Sequence, residues 1–140
     1  MAEKKIFRFK VNAEVNELQR VLDFVENCMS GIEFPPKAMM QINVSVEEIF
    51  VNIAHYAYPD KIGEAVIEVE IDDEPKTITI TFIDSGVKYD PLAKPDPDVT
   101  LSAKNRKIGG LGIFMTKKFM DKLSYEYRDG QNVFAMKKKL

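Results

Sequence analysis

Ala65-Val-Ile-Glu-Val-Glu-Ile-Asp72, then Asp73-Glu-Pro-Lys76, then Thr77-Ile-Thr-Ile-Thr-Phe-Ile83 is the stretch that decides the fold. Apolar and polar side chains alternate in both outer runs. A period of two places every second side chain on one face, so the two runs around a short turn predict an antiparallel hairpin. Upstream, Phe34-Pro35-Pro36 breaks the chain and opens a helix, because proline is tolerated in a first turn. That helix runs to about Ala57 and stops before Pro59. Earlier still, residues 5–11 alternate (Ile6, Phe7, Phe9, Val11) as a first strand, and Asn12 is placed to cap the first helix. Val15, Leu18, Val21, Leu22 and Val25 then recur at helical spacing until Gly31. Downstream of the hairpin, residues 87–108 lack periodicity and hold Pro91, Pro95 and Pro97. Loops of that length inside compact domains are uncommon and usually functional. Gly109–Met120 reads as a third helix. Leu123–Arg128 and Asn132–Lys138 read as strands joined by Asp129-Gly130, a strong hairpin turn. The sum is an α+β fold: a two-layer sandwich, with a mostly antiparallel sheet of about five strands and three helices on one face.

Composition narrows the function classes. A chain of 140 residues, 45% hydrophobic and 30% charged, is the size and kind of one soluble globular domain. Its net charge of −2 gives no reason to expect direct nucleic-acid binding. No apolar run approaches the ~20 residues of a membrane-spanning helix, and no secretory leader is evident. Cys28 is the only cysteine, which excludes an internal disulfide and suggests a reducing cytoplasm. It reads as a small apolar filler. Lys137, Lys138 and Lys139 read as a solvated strand edge that discourages further pairing.

Three short pieces carry chemistry. The second helix has an apolar stripe (Met39, Ile42, Val46, Ile49, Phe50, Ile53) and a polar one (Gln41, Ser45, Glu48, Asn52). Glu48 and Asn52, four apart, meet at one point in space. A carboxamide oxygen is a hard neutral ligand suited to Mg²⁺, and a carboxylate can accept a proton from an attacking hydroxyl. Asp84-Ser-Gly86 closes the hairpin's second strand. It offers an acceptor for an exocyclic amine beside a backbone that a ring can approach. Gly109-Gly-Leu-Gly112 puts three glycines in four positions at a helix start, each weakening the helix by ~1 kcal/mol relative to alanine. That penalty suggests a hinge and a close approach to phosphate, which helix N-termini hold readily. No Gly-Lys-Ser/Thr comes after it, so this is not a P-loop. Taken singly, the first piece reads more readily as a solvated helix face and the second as a simple turn, and the glycine run is the more specific signal.

In order, these residues resemble the nucleotide-binding boxes of the Bergerat-fold (GHKL) ATPases, the superfamily of histidine kinases and gyrase B. The resemblance is greatest to the small stand-alone anti-sigma factor serine-protein kinases of the RsbW and SpoIIAB type. It is carried by Ser45-Val-Glu-Glu-Ile-Phe-Val-Asn-Ile-Ala-His-Tyr-Ala-Tyr58, Ile83-Asp-Ser-Gly-Val87 and Gly109-Gly-Leu-Gly-Ile113, with Met120-Asp121 one helix later. The resemblance implies one ATP-binding kinase domain over residues 1–140, with residues 87–108 as the ATP lid. Glu48 would be the general base, Asn52 the Mg²⁺ ligand and Asp84 the contact to the adenine amine, with Gly86 beside the ring. Gly109, Gly110, Leu111 and Gly112 would line the triphosphate. Arg106 would be either a phosphate contact or a solvated charge. Such relatives often carry a threonine near the start of the last strand that helps hold adenine through water; here that region reads Gln131-Asn132-Val133.

By the same resemblance the expected activity is phosphorylation of a serine on a STAS-domain anti-anti-sigma protein, with sequestration of an RNA polymerase sigma factor in the other arm of the switch. A homodimer is expected, with the first strand and first helix, Arg20 included, as its contact and partner surface. A non-catalytic ATP-dependent binding module would use the same motifs. The catalytic half of a histidine kinase is disfavoured, because the sole histidine, His55, reads as a packed or rim residue and no dimerisation helices precede residue 5.

Overall fold

The computed structural model describes residues 4–93 and 111–140, and Leu111 by its backbone alone. The predicted hairpin is β2 (Glu64–Asp73) and β3 (Lys76–Asp84), paired antiparallel from Ala65 opposite Asp84 to Asp73 opposite Lys76. β1 (Lys4–Asn12) lies along the other side of β2. The chain returns as β4 (Lys122–Arg128) and β5 (Gln131–Lys139), and β5 inserts between β3 and β4. The sheet order is β1-β2-β3-β5-β4, antiparallel throughout. Asp129 and Gly130 have φ of 55° and 78°, the left-handed pair that a two-residue turn of matching twist requires.

Alternation decides which face is covered. Ala65, Ile67, Val69 and Ile71 of β2, Ile78, Ile80 and Phe82 of β3, and Phe134 and Met136 of β5 are all buried. Against them lie α1 (Leu18–Met29), α2 (Pro36–Tyr56) and α3 (Leu111–Phe119). α2 supplies Ile42, Val46, Ile49, Phe50 and Ile53 of the expected apolar stripe, while Met39, its first member, is only partly buried. Each fully buried side chain of this size contributes about 1.5–3 kcal/mol relative to exposure. Three helices on one face of a five-stranded sheet is the arrangement expected from the order of elements. Among the described residues, no helix is long and apolar enough to cross a membrane.

Three local expectations are corrected. Asn12 does not cap α1: it is the last residue of β1, opposite Glu64, and a 3-10 turn at Val15–Glu17 intervenes before the helix begins. Val15 consequently leaves the buried stripe and stands 46% exposed. Lys137–Lys139 do not form an edge, because β5 is interior: Lys139 pairs with Thr77 and Lys137 with both Thr79 and Lys122. Lys138 Nζ donates to the Phe119 carbonyl and the Lys139 N–H to Asp121, so these residues seat the end of α3 on the sheet.

Candidate functional site

α2 presents Glu48 and Asn52 towards α3 and the end of β3. Asn52 Nδ2 donates to Glu48 Oε1 at 3.2 Å. An ionised carboxylate only accepts, so this contact fixes the amide with its oxygen turned away from Glu48. Gly112, in the first turn of α3, sits directly on the Glu48 carboxyl group: a Cβ there would collide with Cδ and both carboxylate oxygens. The third glycine of the Gly109–Gly112 run therefore leaves space for a side chain of α2. Gly109, Gly110 and Arg106 lie outside the described residues.

At the other end of α2, Gly86 meets the helix's exit. A Cβ on Gly86 would overlap the backbone carbonyl of Ala57, and the Val87 N–H donates to that same oxygen at 2.8 Å. Close packing of strand exit on helix end is thus one reason for glycine here, distinct from room for a ring. Tyr58 completes the corner. Its hydroxyl donates to the Glu64 carbonyl at 2.7 Å and accepts the Ser85 N–H at 2.8 Å, while its ring covers Gly63.

Between these two points lies a cavity of about 30 Å³, lined by Asn52, Asp84, Tyr89, Tyr125, Asn132 and Phe134 among others. That is about one water's share of liquid volume. Val87, Tyr89 and Pro91, in the segment after β3, form its cover. Asp84 is 5% exposed, and burial pushes its carboxyl above the ordinary value of 3.8. Hydrogen bonds from Asn132 and the Gly86 N–H work in the opposite direction. Tyr125, against Asn132, is raised by loss of water and by the charges of Asp90 and Asp84, with the Tyr89 backbone opposing. A wider groove of about 810 Å³ opens on the uncovered sheet face beside Arg8, Lys10, Val66 and Gln131. Asp84 borders that groove as well, but of the two Asn52 and Asn132 line only the smaller cavity, so it is there that Asp84 meets the polar groups of α2 and β5.

The family profile of the histidine kinase-like ATPase domain matches residues 11–138, nearly the whole chain. The chain belongs to that family. Among curated relatives, it is 28% identical over 91 residues to the serine/threonine-protein kinase BtrW of Bordetella bronchiseptica, covering 65% of this chain and 63% of that protein. It is 26% identical over 118 residues to the serine-protein kinase RsbW of Listeria monocytogenes, covering 78% and 74%. In three dimensions it matches the crystal structure of the RsbU and RsbW domains of Rv1364c from Mycobacterium tuberculosis, with a TM-score of 0.69 at 12% identity. That match covers 97% of this chain and 32% of the other, and shows a shared fold.

The described residues thus group Glu48, Asn52 and Gly112 at one end and Asp84, Gly86 and Asn52 at the other. The sequence alone assigns no role to Tyr58, Tyr89 and Tyr125, and marks Asn132 only as part of the region that departs from an expected threonine. Asn132 lies opposite Asp84 in the β3–β5 register, a pairing that needs the strand order and not the strand pattern alone. His55 is exposed at the rim, edge-on to Tyr56. The Cys28 thiol is buried and pushed up to about 11 by that burial, in keeping with an inert filler.

Proposed function

We propose that this chain is a serine-protein kinase using Mg·ATP, which phosphorylates a STAS-domain anti-anti-sigma protein and can sequester a sigma factor. The observation that carries the proposal is the placement of Asn52. It lines the cavity that contains Asp84 and at the same time donates to Glu48. A base acceptor, a neutral metal-type oxygen and a carboxylate next to a helix start are thereby brought into one row. The names of the relatives, serine-protein kinases, support the activity.

The residues fit a bound nucleotide with Mg²⁺. The Asn52 oxygen accepts none of the hydrogen bonds among the described residues, and Mg²⁺ takes few protein ligands when phosphates and waters supply the rest. When bound, Mg²⁺ would neutralise phosphate charge. Asp84 accepts the exocyclic amine of the base, and the apolar walls from Ile49, Ile53 and Phe134 exclude water around it. Glu48 receives the proton of the attacking seryl hydroxyl, oriented by the Asn52 amide. Phosphoryl transfer needs positioning and charge compensation more than covalent help, which suits so sparse a set of groups. Residues 87–108 act as the ATP lid, with Arg106 and Gly109–Gly112 at the phosphates. A purine is too large for the cavity as it stands, so the Tyr89 side chain and Pro91 move outward on binding while the Val87 carbonyl and the Tyr89 N–H keep their bonds to Asn132.

Dimer and partner contacts are assigned to β1 and α1. Arg20 there donates to Glu17 at 2.6 Å, and its guanidinium lies 5.4 Å from the centre of the Phe9 ring. The deciding experiment incubates the chain with labelled ATP, Mg²⁺ and a STAS-domain protein. Phosphoserine on the partner supports the kinase. ATP binding without transfer would leave a non-catalytic clamp.

A further inference from the structure

We propose that Asn132 sets the base specificity of the pocket, by fixing the Asp84 carboxylate so that its second oxygen faces the ligand as an acceptor. The ligand selected is a purine with a 6-amino group, in preference to a 6-oxo purine. This rests on the nucleotide reading above and adds to it a residue that departs from the threonine expected there.

A carboxamide has two N–H donors and two acceptor lone pairs. Asn132, 5% exposed, uses all four. Nδ2 donates to Asp84 Oδ1 at 2.9 Å and to the Val87 carbonyl at 2.9 Å. Oδ1 accepts the Tyr89 N–H at 3.1 Å and the Tyr125 hydroxyl. Two of these partners have fixed polarity. The Val87 carbonyl can only accept and the Tyr89 N–H can only donate, so the amide cannot turn over without losing both bonds. Asp84 is therefore always met by an N–H.

Asp84 Oδ1 also accepts the Gly86 N–H at 2.9 Å, which saturates it. Oδ2 takes none of the hydrogen bonds among the described residues and belongs to a residue lining the cavity. The two donors offset part of the penalty that burial places on the charged carboxylate. The pocket floor thus presents one oriented acceptor. A 6-amino group donates to it. A 6-oxo group brings a lone pair against a buried carboxylate and leaves both unpaired. Sites built on one hydrogen bond reject analogues lacking it by as much as ~10⁴-fold.

The test measures dissociation constants for ATP and for inosine triphosphate on the wild type and on Asn132→Leu, Asn132→Asp and Asn132→Thr. Wild type should prefer ATP by about 100-fold or more. Asn132→Leu removes every donor at constant bulk, and Asn132→Asp places a second carboxylate against Asp84. Both should lose at least about tenfold of the preference. Asn132→Thr, which keeps one hydroxyl donor, should retain most of it, a rescue that loss of packing alone would not produce. Unfolding midpoints identify which variants are folded, and the Asp and Thr pair decides if the Leu variant is not. An unchanged ATP preference in a folded Leu or Asp variant overturns the assignment while the nucleotide reading stands. Absence of ATP binding in the wild type overturns both.

Discussion

The carboxyl group of Glu48 occupies the space where Gly112 would carry a side chain. This contact joins the middle of α2 to the first turn of α3, and it is made possible by a missing methyl group. Alanine at 112 would favour the helix by up to ~1 kcal/mol, and the atom in its way is the end of a flexible side chain, so folding tolerates it. Glu48 would have to turn aside. Gly112→Ala should therefore keep or raise the thermal midpoint while lowering phosphotransfer by about 100-fold, the low end of what a positioned general base contributes. Retained transfer at full rate would show that the position of Glu48 is not critical.

Glu48→Gln preserves the shape of the α2–α3 contact and removes the proton acceptor. Transfer should disappear, with ATP affinity within a few fold of wild type by calorimetry. Asn52→Ala should instead abolish the Mg²⁺ dependence of nucleotide affinity. Unchanged Mg²⁺ dependence would remove Asn52 from the metal site.

Asp84 makes folding pH-sensitive with a defined sign. Its folded pKa is raised above 3.8, mainly by burial. Between those two values the folded chain holds the proton more tightly than the unfolded chain does. This contribution to stability is present at low pH and is lost as pH rises through the folded pKa. At neutral pH the buried charge opposes folding. Asp84→Asn keeps an oxygen for Asn132 and Gly86 and removes the charge. Its unfolding free energy at pH 7 should equal or exceed that of wild type, while ATP binding fails because an N–H now faces the base amine. A clear loss of stability at pH 7 would contradict this account.

Gly86→Ala tests the other end of α2. Here the obstruction is the Ala57 backbone, which cannot rotate away. Overpacking of this kind typically destabilises by about 1–3 kcal/mol. Urea unfolding should show that loss, and a change below about 0.5 kcal/mol would mean the strand exit and helix end separate freely.

Much of the fold was legible because its periodicities are clean. The apolar stripe of α2, the alternation of β2 and β3, and the Asp129-Gly130 turn are each fixed by side-chain spacing along a single segment. The hidden features depend on contacts between segments. Asn132 stands out in the sequence only as part of Gln131-Asn132-Val133, where a threonine is expected, and its partner becomes visible only when β5 is placed beside β3, which puts it opposite Asp84. Gly86 and Gly112 invite a ligand explanation, yet each is also pressed against a particular atom of α2 or its exit. Asn12 misled for a similar reason: its side chain suits a cap, but pairing with Glu64 holds its backbone in β1.

Titration calorimetry of the wild-type chain with ATP in the presence of Mg²⁺, with Asp84→Asn as the control, tests the assigned nucleotide site most directly. Saturable heat with a dissociation constant in the ~1 μM–1 mM range, absent from the control, is the predicted result. No heat from the wild type at millimolar ATP, or equal heat from the control, would contradict it.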